Sequence, residues 1–539
     1  MKNQLDSSFF TRLFVPERHK AAMMADANLR FASPRRVKRS GMEINMTNNL
    51  ERGAGVLLHI SSLPSPYGIG TMGKAAYEFV DNLKAAGQKY WQVLPVGQTG
   101  FGDSPYQSFS AFAGNPYFVD IENLISDGLI EQKDADGILW GRYAEYVEYD
   151  KVYDGRQKLL GKAYENWKNK KEPEYEEFVR KNSYWLDDYA MYMSCREYFG
   201  HQSWLHWDED IKNKKPEAVE KYNGLLSDKI GYWKFIQYRF YSEWDKLKKY
   251  ANSNGIKIIG DIPIYVSLDS SDVWSNPELF QLDENLQPKA IAGCPPDAFA
   301  AEGQRWGNPL YAWDVMEKDD FAWWKKRIQA SAALYDVIRI DHFIGIVRYF
   351  SIPVELATKD GHYEEGPGEK LTKAIDSVLG DAKIIAEDLG VKYEPVQELL
   401  EKTGYPGMKV MLFGFDGNPN NEHLPHQAVK NSIMYIGTHD NETLKGFIDN
   451  QPDNVVERIK EYVSAPDDKS ICRQMIKSAY LSVSNICIIQ MQDILEKNNF
   501  ARMNFPSTIG ENWKWRLQPG EFTAKKIMML KKLADISGR

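Results

Sequence analysis

Three carboxylates stand where short apolar runs give way to polar chain: Asp341 after Val337-Ile338-Arg339-Ile340, Glu387 after Lys383-Ile384-Ile385-Ala386, and Asp440 after Met434-Tyr435-Ile436-Gly437-Thr438-His439. Such groups can attack as nucleophiles, carry protons as general acids and bases, or bind metal ions. In the first run, period-two geometry sets Val337, Arg339 and Asp341 on one face and the two isoleucines on the other. If the isoleucines face packed helices, Arg339 lies beside Asp341 and favours its ionised form, as a nucleophile requires. A structural ion pair accounts for that segment equally well. In the second run Glu387 is followed by Asp388, and alternation lets only one of them point inward. An acid at the edge of a core costs solvation unless it is paired or functional. Three strand ends that each deliver a carboxylate are hard to explain as packing.

The elements that must position these acids are apolar runs at 55–59, 90–96, 256–261, 336–341, 383–388, 408–413 and 432–437. They read as buried parallel strands. Helix-like stretches at 77–86, 232–250, 321–334 and 394–403 lie between several of them. Strand alternating with helix, repeated this often, predicts an α/β fold, a (β/α)8 TIM barrel with inserted, largely helical subdomains. Barrels build their sites at the C-terminal strand ends, which brings the three acids together despite separations of about fifty residues. Converging carboxylates suit acetal cleavage through an oxocarbenium-like transition state: one is nucleophile, one acid/base, and a third can support the charge.

Two stretches interrupt the rhythm. Residues about 115–226 are polar, Lys/Glu-rich and helix-like, and residues about 267–313 are rich in Pro, Gly, Trp and Asp. The first predicts a helical insertion and the second an active-site rim, because long structured loops leaving barrel strands usually build it. Residues 51–539 thus read as one barrel with insertions. Residues 1–50 carry the basic cluster Arg35, Arg36, Lys38 and Arg39 with no apolar stretch behind it, and read as a disordered extension or an upstream start ahead of Met42 and Met46.

Composition narrows the partners. A net charge of −8 argues against nucleic acid, and no run approaches the ~20 apolar residues that would span a membrane. The 15 Trp, 30 Tyr and 24 Phe suit stacking against the apolar faces of sugar rings, although most of them read as core. Cys195, Cys294, Cys472 and Cys487 show no metal-binding spacing and read as reduced thiols of a cytoplasmic protein. Gly68-Ile69-Gly70-Thr71-Met72-Gly73 matches a dinucleotide pattern, but it lies beyond its strand and behind Pro64 and Pro66, so it reads as a loop near the barrel mouth. His342 and His439 beside their acids raise a metal site. Neighbours on a strand diverge, however, so hydrogen bonding to sugar hydroxyls is the better reading, with no metal and no cofactor.

Taken in order, Gly260-Asp261-Ile262-Pro263, Arg339-Ile340-Asp341-His342, Glu387-Asp388-Leu389-Gly390 and Thr438-His439-Asp440-Asn441 resemble the signature regions of amylomaltases, the 4-α-glucanotransferases or disproportionating enzymes of glycoside hydrolase family 77. His59-Ile60-Ser61-Ser62-Leu63-Pro64, Ser104-Pro105-Tyr106-Gln107-Ser108, Gly303-Gln304-Arg305-Trp306-Gly307-Asn308-Pro309 and Arg502-Met503-Asn504 extend the likeness from about residue 53 to 516. The resemblance implies Asp341 as nucleophile, Glu387 as general acid/base, Asp440 as transition-state stabiliser, and retention of the α-configuration. It implies that Arg339, His342 and His439 hold the reacting sugar, that Tyr106, Trp306 and Asn504 line neighbouring subsites, that Asp261 orients Arg339, and that Phe413 and Asp416 serve the acceptor. It further implies α-1,4-glucans and glucose as donor and acceptor. Ser507 departs from the pattern, where Gly is expected, and the basic extension is foreign to the family. An α-1,4-glucan hydrolase with the same carboxylates, or a non-catalytic glucan-binding protein, are the alternatives.

Overall fold

The structure, a computed structural model, describes residues 50–100, 102–296 and 302–539. The extension expected over 1–50 lies outside the described residues except for Leu50. Eight parallel strands form the central sheet: β1 (Gly53–Leu57), β2 (Tyr90–Gln92), β3 (Lys257–Ile262), β4 (Val337–Ile340), β5 (Lys383–Ala386), β6 (Gly407–Val410), β7 (Ser432–Tyr435) and β8 (Ile486–Gln490). Their order is β6-β7-β8-β1-β2-β3-β4-β5. The seam between β5 and β6 closes the ring. Ala386 N–H donates to the Pro406 carbonyl at 3.0 Å, and Met408 N–H donates to Asp388 Oδ1 at 2.7 Å. The expected (β/α)8 barrel is therefore the architecture found, and β8 adds the eighth strand to the seven runs read in the sequence.

Alternation sorts the strand side chains into two cores. Leu57, Ile259, Val337, Ile385, Met408, Ile433 and Ile488 fill the lumen. Ile338, Ile340 and Ile384 belong to the outer core under the helices. Each such side chain, removed from water, contributes roughly 2 kcal/mol. Helix boundaries follow local chemistry: Glu394–Thr403 opens with Pro395 in its first turn and stops at Gly404, whose φ of 72° few other residues adopt cheaply. The 68–73 glycines also have a packing cause. A Cβ on Gly70 would sit 1.8 Å from the Ile60 carbonyl oxygen, so the loop lies directly on the turn after β1.

Between β2 and β3 the chain runs through helices, the longest being Pro173–Tyr198 and Ser227–Ser253, which pack on one another. Past β3, strands Ala290–Cys294 and Gln304–Pro309 join Arg348–Pro353 and His362–Glu365 in a four-stranded antiparallel sheet. Half of that sheet comes from the β4–β5 connection. The pairing that joins its two halves, Ala290–Cys294 with Arg348–Pro353, is distant in sequence and leaves no hairpin signal, and no sheet is predicted there from the sequence.

Candidate active site

Strand register places the first charges. β3 and β4 lie side by side with Asp261 opposite Arg339, both on the lumen face. Arg339 Nη1 donates to both oxygens of Asp261 at 2.7 Å and to Asp341 Oδ1 at 2.9 Å. The side chains of Asp261 and Arg339 are sealed, 0% and 4% exposed, whereas that of Asp341 is 28% exposed. Arg339 is therefore neutralised from below and presents Asp341 to the mouth. Burial disfavours its charge, but Asp261 and Asp341 outweigh burial and hold the guanidinium protonated. Tyr106 extends the chain of bonds, its hydroxyl donating to Asp261 Oδ2 at 2.9 Å.

β5 turns Glu387 inward and Asp388 outward to the barrel seam, which settles the ambiguity of the acidic pair. Glu387 is buried, with Oε2 accepting from His342 N–H at 2.7 Å and Oε1 from Leu389 N–H at 2.8 Å. Burial pushes its carboxyl up to about 8 against the pull of Arg339, and the like charge of Asp341 adds to the rise. A carboxyl in that state is protonated at neutral pH and can give its proton away. His342 leaves the strand in the left-handed region, φ 50°, which aims its N–H at Glu387. Its ring, kept neutral by burial, stands edge-on to Trp306 at 4.8 Å.

Asp440 lies just past β7, its side chain 42% exposed. Oδ1 accepts from Asn504 Nδ2 at 2.6 Å, and Oδ2 is 3.3 Å from His439 Nε2. The His439 ring stacks on Tyr106 at 5.2 Å with a 15° tilt. Trp513 leans on both rings, at 5.8 Å from His439 and 5.9 Å from Tyr106. Asp261, Arg339, Asp341, Glu387, His342, Trp306, Tyr106, His439, Asp440 and Asn504 thus form one connected set.

Phe413 and Asp416, read from the sequence for the acceptor side, have partners on the loop after β6. Phe413, on the turn after β6, meets His423 edge-on at 5.4 Å. Asp416 is exposed and is engaged by its own loop, accepting from Asn418 N–H at 2.8 Å and Asn421 Nδ2 at 3.0 Å. Conversely, Trp513 was not singled out, and Arg502 entered only within the Arg502-Met503-Asn504 likeness without a role of its own, since the long loop after β8 brings both in and no spacing rule marks such contacts. Among the described residues, no group of three or more His, Cys, Asp or Glu is placed to hold a metal ion. The arrangement offers an open carboxylate beside a cation, a protonated carboxyl, and a third acid bracketed by an amide and an imidazole.

Known proteins share this chain's sequence and shape. The family model described as 4-alpha-glucanotransferase matches residues 58–523. The 4-alpha-glucanotransferase of Clostridium butyricum is 46% identical over 485 residues, 89% of this chain and 100% of that protein. That of Thermus thermophilus is 39% identical over 502 residues, 91% of this chain and 99% of the relative. An amylomaltase from Streptococcus agalactiae, solved in complex with acarbose, superimposes with a TM-score of 0.89 at 42% identity, covering 91% of this chain and 100% of its own. A match this long, to a family model and to relatives over their full length, means that this chain belongs to the 4-alpha-glucanotransferase family.

Proposed function

We propose that this chain is a retaining 4-α-glucanotransferase that moves segments of α-1,4-glucan to the 4-hydroxyl of an acceptor glucose or glucan. The observation that carries the reading is the contrast between two acids at one barrel mouth. Asp341 touches a cation at 2.9 Å, while burial holds the Glu387 carboxyl near 8. Asp341 Oδ attacks the anomeric carbon as Glu387 passes its proton to the glycosidic oxygen, releasing the reducing-end fragment. The non-reducing part remains as a β-glycosyl ester on Asp341. Glu387, now ionised, takes the proton of the acceptor 4-hydroxyl, whose oxygen displaces Asp341. Two inversions retain the α-configuration, and the chemistry needs no cofactor.

Asp440 supports the positive charge that builds on the ring during both steps. Arg339, His342 and His439 hold the reacting sugar, Asp261 fixes Arg339, and Tyr106, Trp306 and Asn504 line neighbouring subsites. We assign Phe413 and Asp416 to the acceptor side. We read residues 51–539 as one catalytic barrel with a helical insertion over about 115–226 and an active-site rim over about 267–313. We place the reaction in the cytoplasm, in keeping with three buried thiols, Cys195, Cys472 and Cys487, and with the absence, among the described residues, of any helix long and apolar enough to cross a membrane.

Incubation with maltotriose tests the proposal. Transfer yields glucose together with a ladder of longer oligomers, and Asp341→Asn abolishes it. Only shorter products, with no ladder, would favour the hydrolase. Undiminished maltotriose binding without turnover in the native chain would favour a binding protein.

A further inference from the structure

The three acids are held by different means. Arg339 fixes Asp341, and two backbone N–H groups fix Glu387. Asp440 is more exposed, lies beyond the end of β7, and depends on the loop after β8 for its place. That loop grips the Asp440 segment at several points besides the Asn504 amide on its carboxylate. Asn499 Oδ1 accepts from Thr443 N–H at 3.2 Å, Asn504 N–H donates to the His439 carbonyl at 3.1 Å, and Arg502 Nη2 donates to the backbone carbonyl of Asp440 itself at 2.6 Å.

Arg502 does more than anchor one carbonyl. Its Nε donates to the Asn504 carbonyl at 2.7 Å, so one planar guanidinium fixes the backbones of both Asp440 and the residue whose amide binds its carboxylate. A rigid fork of parallel N–H donors can hold two acceptors at a set separation, which a single ammonium cannot. The guanidinium lies 4.3 Å over the Phe505 ring, which restricts its swing. Both of these hydrogen bonds go to backbone carbonyls, so they fix geometry, while the guanidinium charge also lies within reach of Glu442 and Asp440.

We infer that Arg502 is a positioning residue that sets the height of the Asp440 carboxylate under the reacting sugar. The inference rests on the proposed role of Asp440 as stabiliser. Charge stabilisation is exacting in distance, and displacement of a working group by about 1 Å costs on the order of 100-fold in rate.

The full-length chain tests this with Arg502→Ala and Arg502→Lys, assayed on maltotriose and on α-maltosyl fluoride, with rates normalised to folded protein by circular dichroism. Fluoride leaves without protonation, so it relieves a defect in Glu387 but not one in Asp440. We expect kcat to fall about 10- to 100-fold in Arg502→Ala on both donors, with KM within about twofold of wild type. Arg502→Lys should lie between, and guanidinium ion should restore Arg502→Ala without changing its melting temperature. Wild-type kcat in Arg502→Ala, a change confined to KM, or recovery on the fluoride donor would overturn the inference. If Arg502→Ala does not fold, wild-type kcat in Arg502→Lys overturns it. Asp440→Asn separates the two levels. If that variant turns over normally, the proposed role of Asp440 itself fails. If it is inactive while both Arg502 variants are normal, only the positioning inference fails.

Discussion

Replacing Glu387 by Gln removes the proposed catalytic acid, whose proton the fold itself holds in place. A rise from the ordinary 4.5 to about 8, at ~1.4 kcal/mol for each tenfold change in proton affinity, amounts to roughly 5 kcal/mol. The sign follows from which form the fold prefers. Below pH 4.5 the carboxyl is protonated in folded and unfolded chains alike, and its contribution is complete. As pH climbs from 4.5 through 8 the unfolded chain sheds the proton while the folded chain keeps it, so that contribution is lost, up to roughly 5 kcal/mol above pH 8. For a fold of this size, unfolding entropy is about 1 kcal/mol per degree, and about 4 kcal/mol of the contribution is lost between pH 5 and pH 9, so Glu387 alone should lower Tm by about 4 °C over that range. Glu387→Gln lacks that slope. It carries a fixed penalty of about 1–2 kcal/mol at all pH values, because its NH2 group faces one of the two backbone N–H donors. The Tm difference, variant minus wild type, should therefore rise with pH and change sign at about pH 5–6, where the loss from Glu387 overtakes the penalty in the variant. The same proton governs catalysis: wild-type kcat/KM on maltotriose should fall above pH 8, and on α-maltosyl fluoride it should not. Parallel Tm curves from pH 5 to 9, or identical alkaline limbs on the two donors, would refute the reasoning.

The remaining predictions concern the support of the site. Arg339→Ala strands the buried carboxylate of Asp261 beside Asp341; urea unfolding should show a loss of about 3–5 kcal/mol, and a loss under 1 kcal/mol would mean that the ion pair is dispensable. In Gly407→Ala the new Cβ would meet Asp388 Oδ2 at 2.3 Å and push it off Met408 N–H; opening that seam should cost about 2–4 kcal/mol in the same assay, combining overpacking with a lost charged hydrogen bond. Ser507 is exposed with φ 66°, the left-handed region; Ser507→Gly should raise stability by about 0.5–1 kcal/mol, strain relief exceeding the added freedom of the unfolded chain.

The barrel was legible because its signal is local. Buried parallel strands read as apolar runs, and 337–341 carried enough alternation to place Arg339 and Asp341 on the face opposite Ile338 and Ile340, where the lumen and outer cores now divide them. Ser507 was legible for a related reason: an expected glycine marks a backbone conformation, and φ 66° is the conformation concerned. Alternation alone left the choice between Glu387 and Asp388 open, and only the resemblance named Glu387; in the fold the β5–β6 seam, closed through Asp388 and Met408, separates the two. The antiparallel sheet bearing Trp306 was hidden because Ala290–Cys294 pairs with Arg348–Pro353 across a long stretch of chain. Trp513 acts only through contacts with other loops, and a residue of that kind has no pattern of its own; Arg502 stood in the Arg502-Met503-Asn504 likeness, but its bond to the Asp440 carbonyl had no sequence signal.

That difference bears on how the three acids come to act differently. Asp341 takes its partner from strand register, since Asp261 and Arg339 are neighbours across β3 and β4 and Arg339 and Asp341 share a face of β4. Glu387 takes its burial and two N–H donors from the turns at the ends of β4 and β5. Asp440 depends on the β8 loop, through Asn504 and Arg502. In the proposed mechanism the order of rigidity matches the order of demand. The nucleophile must meet one carbon along one line, the acid must hold a proton against neutral solvent, and the stabiliser must follow a ring that flattens and recovers twice per cycle. A carboxylate carried by a loop can follow that movement, provided its backbone stays pinned, and the Arg502 fork is placed to pin it.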